Sequence, residues 1–470
     1  MEMYDVIIVG GGPMGLASAY ECAVKEGKKV LVLERFSEFA NVHSSSVGYS
    51  RQFRVSYSEK NLSDLALKTY VMWQNLKKEM NDDSLLQLTG CLWFGDASVE
   101  SSEGNIDLAI QNLKALGEIE GKDYRVLEGK EAIMNSTEFA FISRAVVEID
   151  NPKALFTVKG GTVNVPGLVY HYVEALKIPN VMLINNARVT KIDYSDEEYV
   201  EVKAVVDGNE ETYRGNKIIL TSGAYVNEVL CTLHPPVDFR INVIIYLWCS
   251  TYFAEKHKPL PSGTDPVTWP IWYFFGPKPK DGSTEAPKDH NDYYGFPCEP
   301  DRPQYLRVAP AYTSQKEFDF MLFPPEINKR PLDKNALKFT SNFVHKFMPD
   351  LDPSLKEKEE STCIAGFAQL NENVHEKDEG AGFVIDFLLP ESKRIVVFTG
   401  GWAMKFVPMI GKILTDLAIR GKTEYQDLIE PMNIKRGVLV DEPDCPGNQL
   451  NPSKMNITQK AKSFFENFWC

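Results

Sequence analysis

Three glycines within the first fifteen residues constrain this chain more than anything that follows. Gly10, Gly12 and Gly15 have G-x-G-x-x-G spacing, directly after the apolar run Val6–Val9 and ahead of a helix-period segment, Met14–Lys25. That order predicts a strand, a tight turn and a helix. The first glycine permits the turn, the second lets a pyrophosphate approach the backbone, and the third lets helix and strand pack closely. Phosphates would then rest on the helix N-terminus, beside Pro13 and Met14. A second apolar strand, Val30–Leu33, ends in Glu34 and Arg35. A carboxylate there accepts hydrogen bonds from a ribose hydroxyl pair and favours an unphosphorylated ribose, as in FAD or NAD. A glycine-rich turn in some other α/β protein would leave Glu34 without a role.

The rest of the chain sets bounds. Its 470 residues, 43% of them hydrophobic, are more than one compact domain needs, so two joined domains are expected. The net charge of -14 argues against a nucleic acid or an anionic membrane surface as partner. No apolar run is long enough to cross a bilayer and no leader precedes the first strand, so a cytoplasmic protein is expected by elimination. Eight cysteines without a C-x-x-C and seven dispersed histidines predict reduced thiols and no metal centre.

After a Ser-rich loop comes SRQFRVSY, with Ser50, Arg51, Arg54 and Tyr57. The two arginines, three apart, would share one face if this segment were helical. This segment resembles the corresponding one in the monomeric sarcosine oxidase family of FAD-dependent amine oxidoreductases, within the D-amino-acid oxidase superfamily. Pipecolate and N-methyltryptophan oxidases belong to the same family. The resemblance spans nearly the whole chain. It implies that Arg51 packs by the flavin ring and that Arg54 binds the substrate carboxylate.

Further along, Asn61–Met80 and Pro166–Ala175 read as helices, while Val181–Ile192, containing Val189, and Val200–Val206 read as strands. Lys217–Gly223 resembles a strand and small-residue turn returning to the nucleotide domain, and Phe239–Trp248 a strand of a second sheet. Gly276–Asp292 is expected to be an exposed loop. The last region, Ser361–Leu417, runs through Cys363 and the strand Arg394–Phe398 to Gly400, Gly401, Trp402 and Lys405, then a helix, Pro408–Ala418. The fold class expected is α/β with two domains: a Rossmann-like FAD-binding domain (1–86, 150–236 and 364–470) interleaved with an antiparallel-sheet substrate domain (87–149 and 237–363). Val189, Gly223, Gly400 and Gly401 are expected at the cofactor.

The resemblance also assigns chemistry. Cys363 stands where the family joins FAD through a thioether. Lys405 stands where it carries a lysine that helps to hold the substrate carboxylate, so Arg54 and Lys405 would clamp one anion. Trp402 would stack on a planar ring or fill core, and Tyr294, in YYGFP, matches a family active-site tyrosine. Arg307 replaces a lysine thought to activate oxygen, and Ala311 and Ala365 replace a histidine and a tyrosine. An arginine keeps the charge but is bulkier and planar, so sluggish reoxidation by oxygen is expected. The implied reaction is hydride transfer from a secondary or cyclic amino acid to FAD, giving an imine, with a small carboxylated amine as substrate, oxygen or another electron acceptor, and a monomeric protein. A dehydrogenase with a non-oxygen acceptor and a flavin-binding scaffold without turnover remain the alternatives.

Overall fold

The computed structural model describes residues 2–441 except 42, 102, 137–138, 257–266, 278–290, 312–333, 355–359, 372–379 and 381. The strand Met3–Val9 lies at the centre of a nine-stranded sheet, paired in parallel with Val30–Leu33 on one side and with Asn209–Leu220 on the other. Val181–Ile184 extends the first side, and Ile395–Thr399 joins Asn209–Leu220 in parallel. Val6, Ile7, Ile8, Leu31 and Val32 are all buried, which is why these strands read as unbroken apolar runs rather than as alternating ones. The helix Pro13–Tyr20 follows the first strand and continues as a π-helical turn, Glu21–Lys25. It packs against the late helix Val407–Arg420, tying the two ends of the described chain together.

A second, eight-stranded sheet joins Glu360–Ala368, Val243–Ala254, Tyr305–Pro310, Tyr293–Gly295, Ile271–Phe275, Cys91–Asp96, Pro152–Thr157 and Tyr124–Glu128 in that order. Most of its pairings are antiparallel, with one parallel pair between Ile271–Phe275 and Cys91–Asp96. Aromatic side chains fill it, Trp93 and Tyr273 on the side facing the first sheet's core and Trp272 and Phe274 on the other, as a period of two requires. A small third sheet, Ser50–Phe53, Gly161–Asn164 and Leu86–Leu88, lies alongside. Pro152–Thr157 belongs to the second sheet and Glu360–Ala368 runs across position 363, so strand membership departs from the expected boundaries at both places.

Other expectations are also revised. Arg51 lies on a strand, Ser50–Phe53, and Arg54 follows it, so the two arginines do not share a helical face. Phe239–Trp248 is broken: Phe239–Ile241 pairs with Leu439–Asp441, and only Val243 onward enters the second sheet. Cys22, Cys91, Cys249 and Cys298 are buried thiols outside any disulfide, but Cys231 is disulfide-bonded, against the expectation of reduced thiols throughout. Most of the expected loop 276–292 lies outside the described residues. Among the described residues, no helix is long and apolar enough to cross a membrane.

Candidate active site

A long cavity starts at the carboxyl ends of the parallel strands, where Val9, Gly10, Gly12, Pro13, Met14, Leu33, Glu34 and Arg35 line it. Crevices at this edge of an open α/β sheet are where such folds bind ligands. Gly10 has φ of 110°, and a Cβ there would lie 2.6 Å from the Thr221 carbonyl oxygen. At Gly15 a Cβ would come within 1.9 Å of the Gly10 carbonyl oxygen, so helix and strand meet with no room for a side chain. At Gly12, by contrast, a Cβ would meet nothing within 4 Å. The space in front of that backbone is a cradle open to the cavity.

Glu34 closes the nucleotide end. Its Oε2 accepts from the Gly11 N–H at 2.7 Å and its Oε1 from the Phe36 N–H at 2.9 Å. Burial raises its pKa, while those two N–H groups favour the ionised form. Arg35 pairs with Glu228 at 2.5 Å and stacks over Tyr225, 4.6 Å from the ring centroid. The open cradle at Gly12, the helix N-terminus and the fixed carboxylate fit the pyrophosphate and ribose of a dinucleotide. Val189, Thr221 and Gly223 line the same cavity.

Beyond this end the cavity passes Arg51, Trp248, Phe296, Arg307, Ile364 and Gly400–Lys405. Arg51 donates to the carbonyl oxygens of Ser45 at 2.7 Å, Val47 at 2.6 Å and Ser50 at 2.9 Å, so it holds the preceding loop in place. Tyr294, Ala311 and Ala365 also line it, the two alanines leaving room that larger residues would fill. Trp402 is half-buried in the wall, edge-on to Phe367 at 5.8 Å. Cys363 pairs through its backbone with Trp248, whereas its side chain lies outside the described atoms.

At the far end two buried cations meet one aromatic ring. Arg54, 3% exposed, has its guanidinium carbon 4.7 Å from the Tyr57 centroid and 5.2 Å from that of Trp93. Lys405, 6% exposed, has Nζ 5.3 Å from Tyr57 and 5.2 Å from Trp402. The helix Lys60–Met80 fixes this lysine through its backbone, Trp73 Nε1 donating to the Lys405 carbonyl oxygen at 2.8 Å. Burial and then the neighbouring Arg54 push the Lys405 ammonium down to about 7, although Glu103 acts in the opposite sense. Glu103 forms an ion pair with Arg54 from the loop before the helix Ile106–Ala115. Burial works most strongly against the Arg54 charge, but Glu103, Tyr57 and Cys91 act together in the opposite sense and leave the Arg54 pKa raised.

The expected residues Arg54, Tyr294, Arg307, Trp402 and Lys405 therefore line one cavity, together with Gly10, Gly12, Pro13, Met14, Glu34, Arg35, Arg51, Val189, Gly223, Gly400 and Gly401. Gly15 and Ser50 stand just behind its wall. Sequence reasoning missed Glu103 and Glu299, the carboxylates paired with Arg54 and Arg307. Neither sits in a motif, and only the cost of burying a lone guanidinium pointed to such partners.

Comparison with known proteins identifies the family and the fold. The family model described as FAD dependent oxidoreductase matches residues 5–417. A Dictyostelium discoideum protein named as a bifunctional amine oxidase is 30% identical over 443 residues, 92% of this chain but 37% of the relative. This chain thus spans well under half the length of that relative. Monomeric sarcosine oxidase of Bacillus sp. is 24% identical, covering 92% of this chain and 96% of its own. Among solved structures, NikD, titled an unusual amino acid oxidase, superposes with a TM-score of 0.71 at 26% identity, covering 92% of this chain and 98% of its own.

Proposed function

This chain belongs to the FAD dependent oxidoreductase family and is an enzyme of the amino acid and amine oxidase type, and from that premise we propose that it oxidises the C–N bond of a secondary or cyclic amino acid to an imine. The observation that carries the reading is the meeting of Arg54 and Lys405 on Tyr57 at the far end of the cavity. Two buried basic groups beside which Glu103 is the acid that the described residues supply call for a further anion, and a substrate carboxylate supplies it. The bound FAD supplies a hydride acceptor for the substrate α-carbon. Arg54 fixes the carboxylate by a planar fork and Lys405 adds a point charge, which together orient the α-carbon. Trp402 and Tyr294 wall the ring of the substrate, and the small side chains of Ala311 and Ala365 suit one larger than sarcosine.

The test is an anaerobic screen of the yellow protein against proline, pipecolate, N-methyl amino acids and piperideine carboxylate. Bleaching by at least one, and none by the corresponding amides, is the expected result. No bleaching by any carboxylated amine would overturn the reading.

The state of Lys405 sets a pH dependence. Its ammonium is present below about 7 and lost as pH rises through that value. A carboxylate inhibitor without an amine should therefore bind progressively more weakly above pH 7, approaching about tenfold per pH unit before levelling off once the lysine is neutral in the complex as well. A flavin-absorbance titration across pH 6 to 9 measures this. An amine substrate adds the opposite trend, since it must shed its own proton, so its affinity should pass through a maximum.

We assign a thioether link between Cys363 and the flavin, supported by the pairing of its backbone with the cavity-lining Trp248. Acid-precipitated protein should stay yellow, and Cys363→Ala should release its colour into the supernatant. The name of the sarcosine oxidase relative supports a monomer. Reoxidation by oxygen would give hydrogen peroxide. The pairing of Arg307 with Glu299 favours the second reading, a dehydrogenase with another acceptor.

A further inference from the structure

Ser50, Tyr252, Glu299 and Arg307 form a buried polar cluster against the middle of the cavity. Glu299 is 2% exposed and Arg307 5%. Glu299 Oε1 accepts from Ser50 Oγ and lies 3.3 Å from Arg307 Nη2, and its Oε2 accepts from the Tyr252 hydroxyl at 2.8 Å. Arg307 Nη2 also donates to the Ser50 carbonyl oxygen at 2.9 Å and to Ser50 Oγ at 3.0 Å. The guanidinium carbon lies 3.6 Å from the centroid of Phe296. Arg307 stands opposite Tyr252 in strand register, so the second sheet itself holds the cluster together. Arg307 lines the cavity, and Glu299 stands behind it.

A carboxylate with three donors around it is well compensated for burial. The pair has a consequence for any group in the cavity. A lone cation beside a flavin stabilises the negative charge gained on reduction, and it lowers the barrier to oxygen reduction by stabilising the superoxide formed in the first electron transfer. A buried ion pair presents a dipole instead, whose field falls off faster than that of a single charge.

We propose that Glu299 is a built-in counter-ion that cancels Arg307 toward the flavin, holding down the reduction potential of bound FAD and slowing its reoxidation by oxygen. The inference rests on the FAD-binding reading above, and it makes Glu299 a positioning residue rather than a catalytic one. In the step concerned, the anionic reduced flavin gives up two electrons and one proton. With one further proton from solvent, one oxygen molecule becomes one hydrogen peroxide and the flavin returns to its oxidised form.

The test uses the holoprotein reduced with one equivalent of dithionite, so it does not depend on which amine is the substrate. Two quantities are read: equilibrium with a reference redox dye under argon, and the rate of recolouring on mixing with oxygen. Glu299→Gln keeps the shape and removes the carboxylate charge that faces Arg307. It should move the dye equilibrium about tenfold or more toward reduced flavin and speed recolouring by a similar factor. The double variant Glu299→Gln with Arg307→Gln removes both charges, and its dye equilibrium should stay within about twofold of the parent. An unchanged equilibrium in the single variant, or a tenfold loss of reduced flavin in the double variant, would overturn the proposal. Should the single variant fail to retain FAD, the double variant decides alone. A failed amine screen with these shifts intact would count against the substrate reading only.

Discussion

Replacing Arg54 with methionine is expected to weaken binding of a carboxylated substrate by about a hundredfold while FAD remains bound. Removing one partner of a buried, hydrogen-bonded charge pair costs about 2–5 kcal/mol, and every 1.4 kcal/mol is a factor of ten in affinity. Arg54 contacts Glu103, Tyr57 and Trp93 and none of the groups that hold Glu34, so the nucleotide contacts should survive. Glu103 sharpens the test, because it already occupies part of the Arg54 guanidinium. Glu103→Gln frees that fork and should tighten a simple carboxylate by about tenfold, the order expected for one charge at close range. Flavin-absorbance titrations with a carboxylate inhibitor read both variants. If Arg54→Met bound the inhibitor as the parent does, Glu103 would be its permanent partner and the substrate carboxylate would have to be placed elsewhere.

Gly15→Ala is the other change with a large expected effect, here on cofactor retention. A methyl group at that position would lie 1.9 Å from the Gly10 carbonyl oxygen and 2.8 Å from Thr221 Oγ1. Neither the turn nor the strand end can retreat, since Thr221 Oγ1 donates to the Gly10 carbonyl oxygen at 2.9 Å and Ile8 pairs in register with Ile219. Helix and strand must part, and overpacking of this kind costs roughly 1–3 kcal/mol or more. The helix N-terminus then moves away from the phosphates. A fall of about a hundredfold in FAD affinity is expected, with a lower melting temperature. Flavin content after gel filtration, measured in the Cys363→Ala background where no thioether can retain FAD, and read together with a thermal melt, checks both. Retention of full flavin content would mean that the phosphates do not depend on this helix.

The first βαβ unit was legible in the sequence because its information is local. Strand, glycine turn, helix and terminal acid follow one another within one short stretch, and Val30–Leu33 falls where its apolar run placed it. Local patterning likewise located the helices Lys60–Met80 and Val165–Ala175 to within a residue at either end. The conformation around Arg51 and Arg54 was left open by the sequence for the same reason in reverse. A spacing of three carries no period by itself, and pairing of Ser50–Phe53 with Gly161–Asn164, far along the chain, decided for a strand. Phe239–Trp248 looked continuous because its composition is uniformly strand-like, yet its two halves pair with different partners.

Charge compensation shows the division most clearly. Arg54, Arg307 and Lys405 are conspicuous in sequence because cations beside an apolar, glycine-rich frame are unusual, and resemblance to a family gave them expected places. Glu103 and Glu299 carried no such mark. A carboxylate on an unpatterned loop looks like ordinary surface charge until the fold buries it against an arginine. The sequence alone therefore determined a dinucleotide-binding unit, which follows from short-range spacing, while resemblance to a family supplied the expected places of the cations. Only the tertiary structure decided how much of that positive charge is left to act. The net field in a buried site is a sum over residues brought together from distant parts of the chain, and no local pattern encodes that sum.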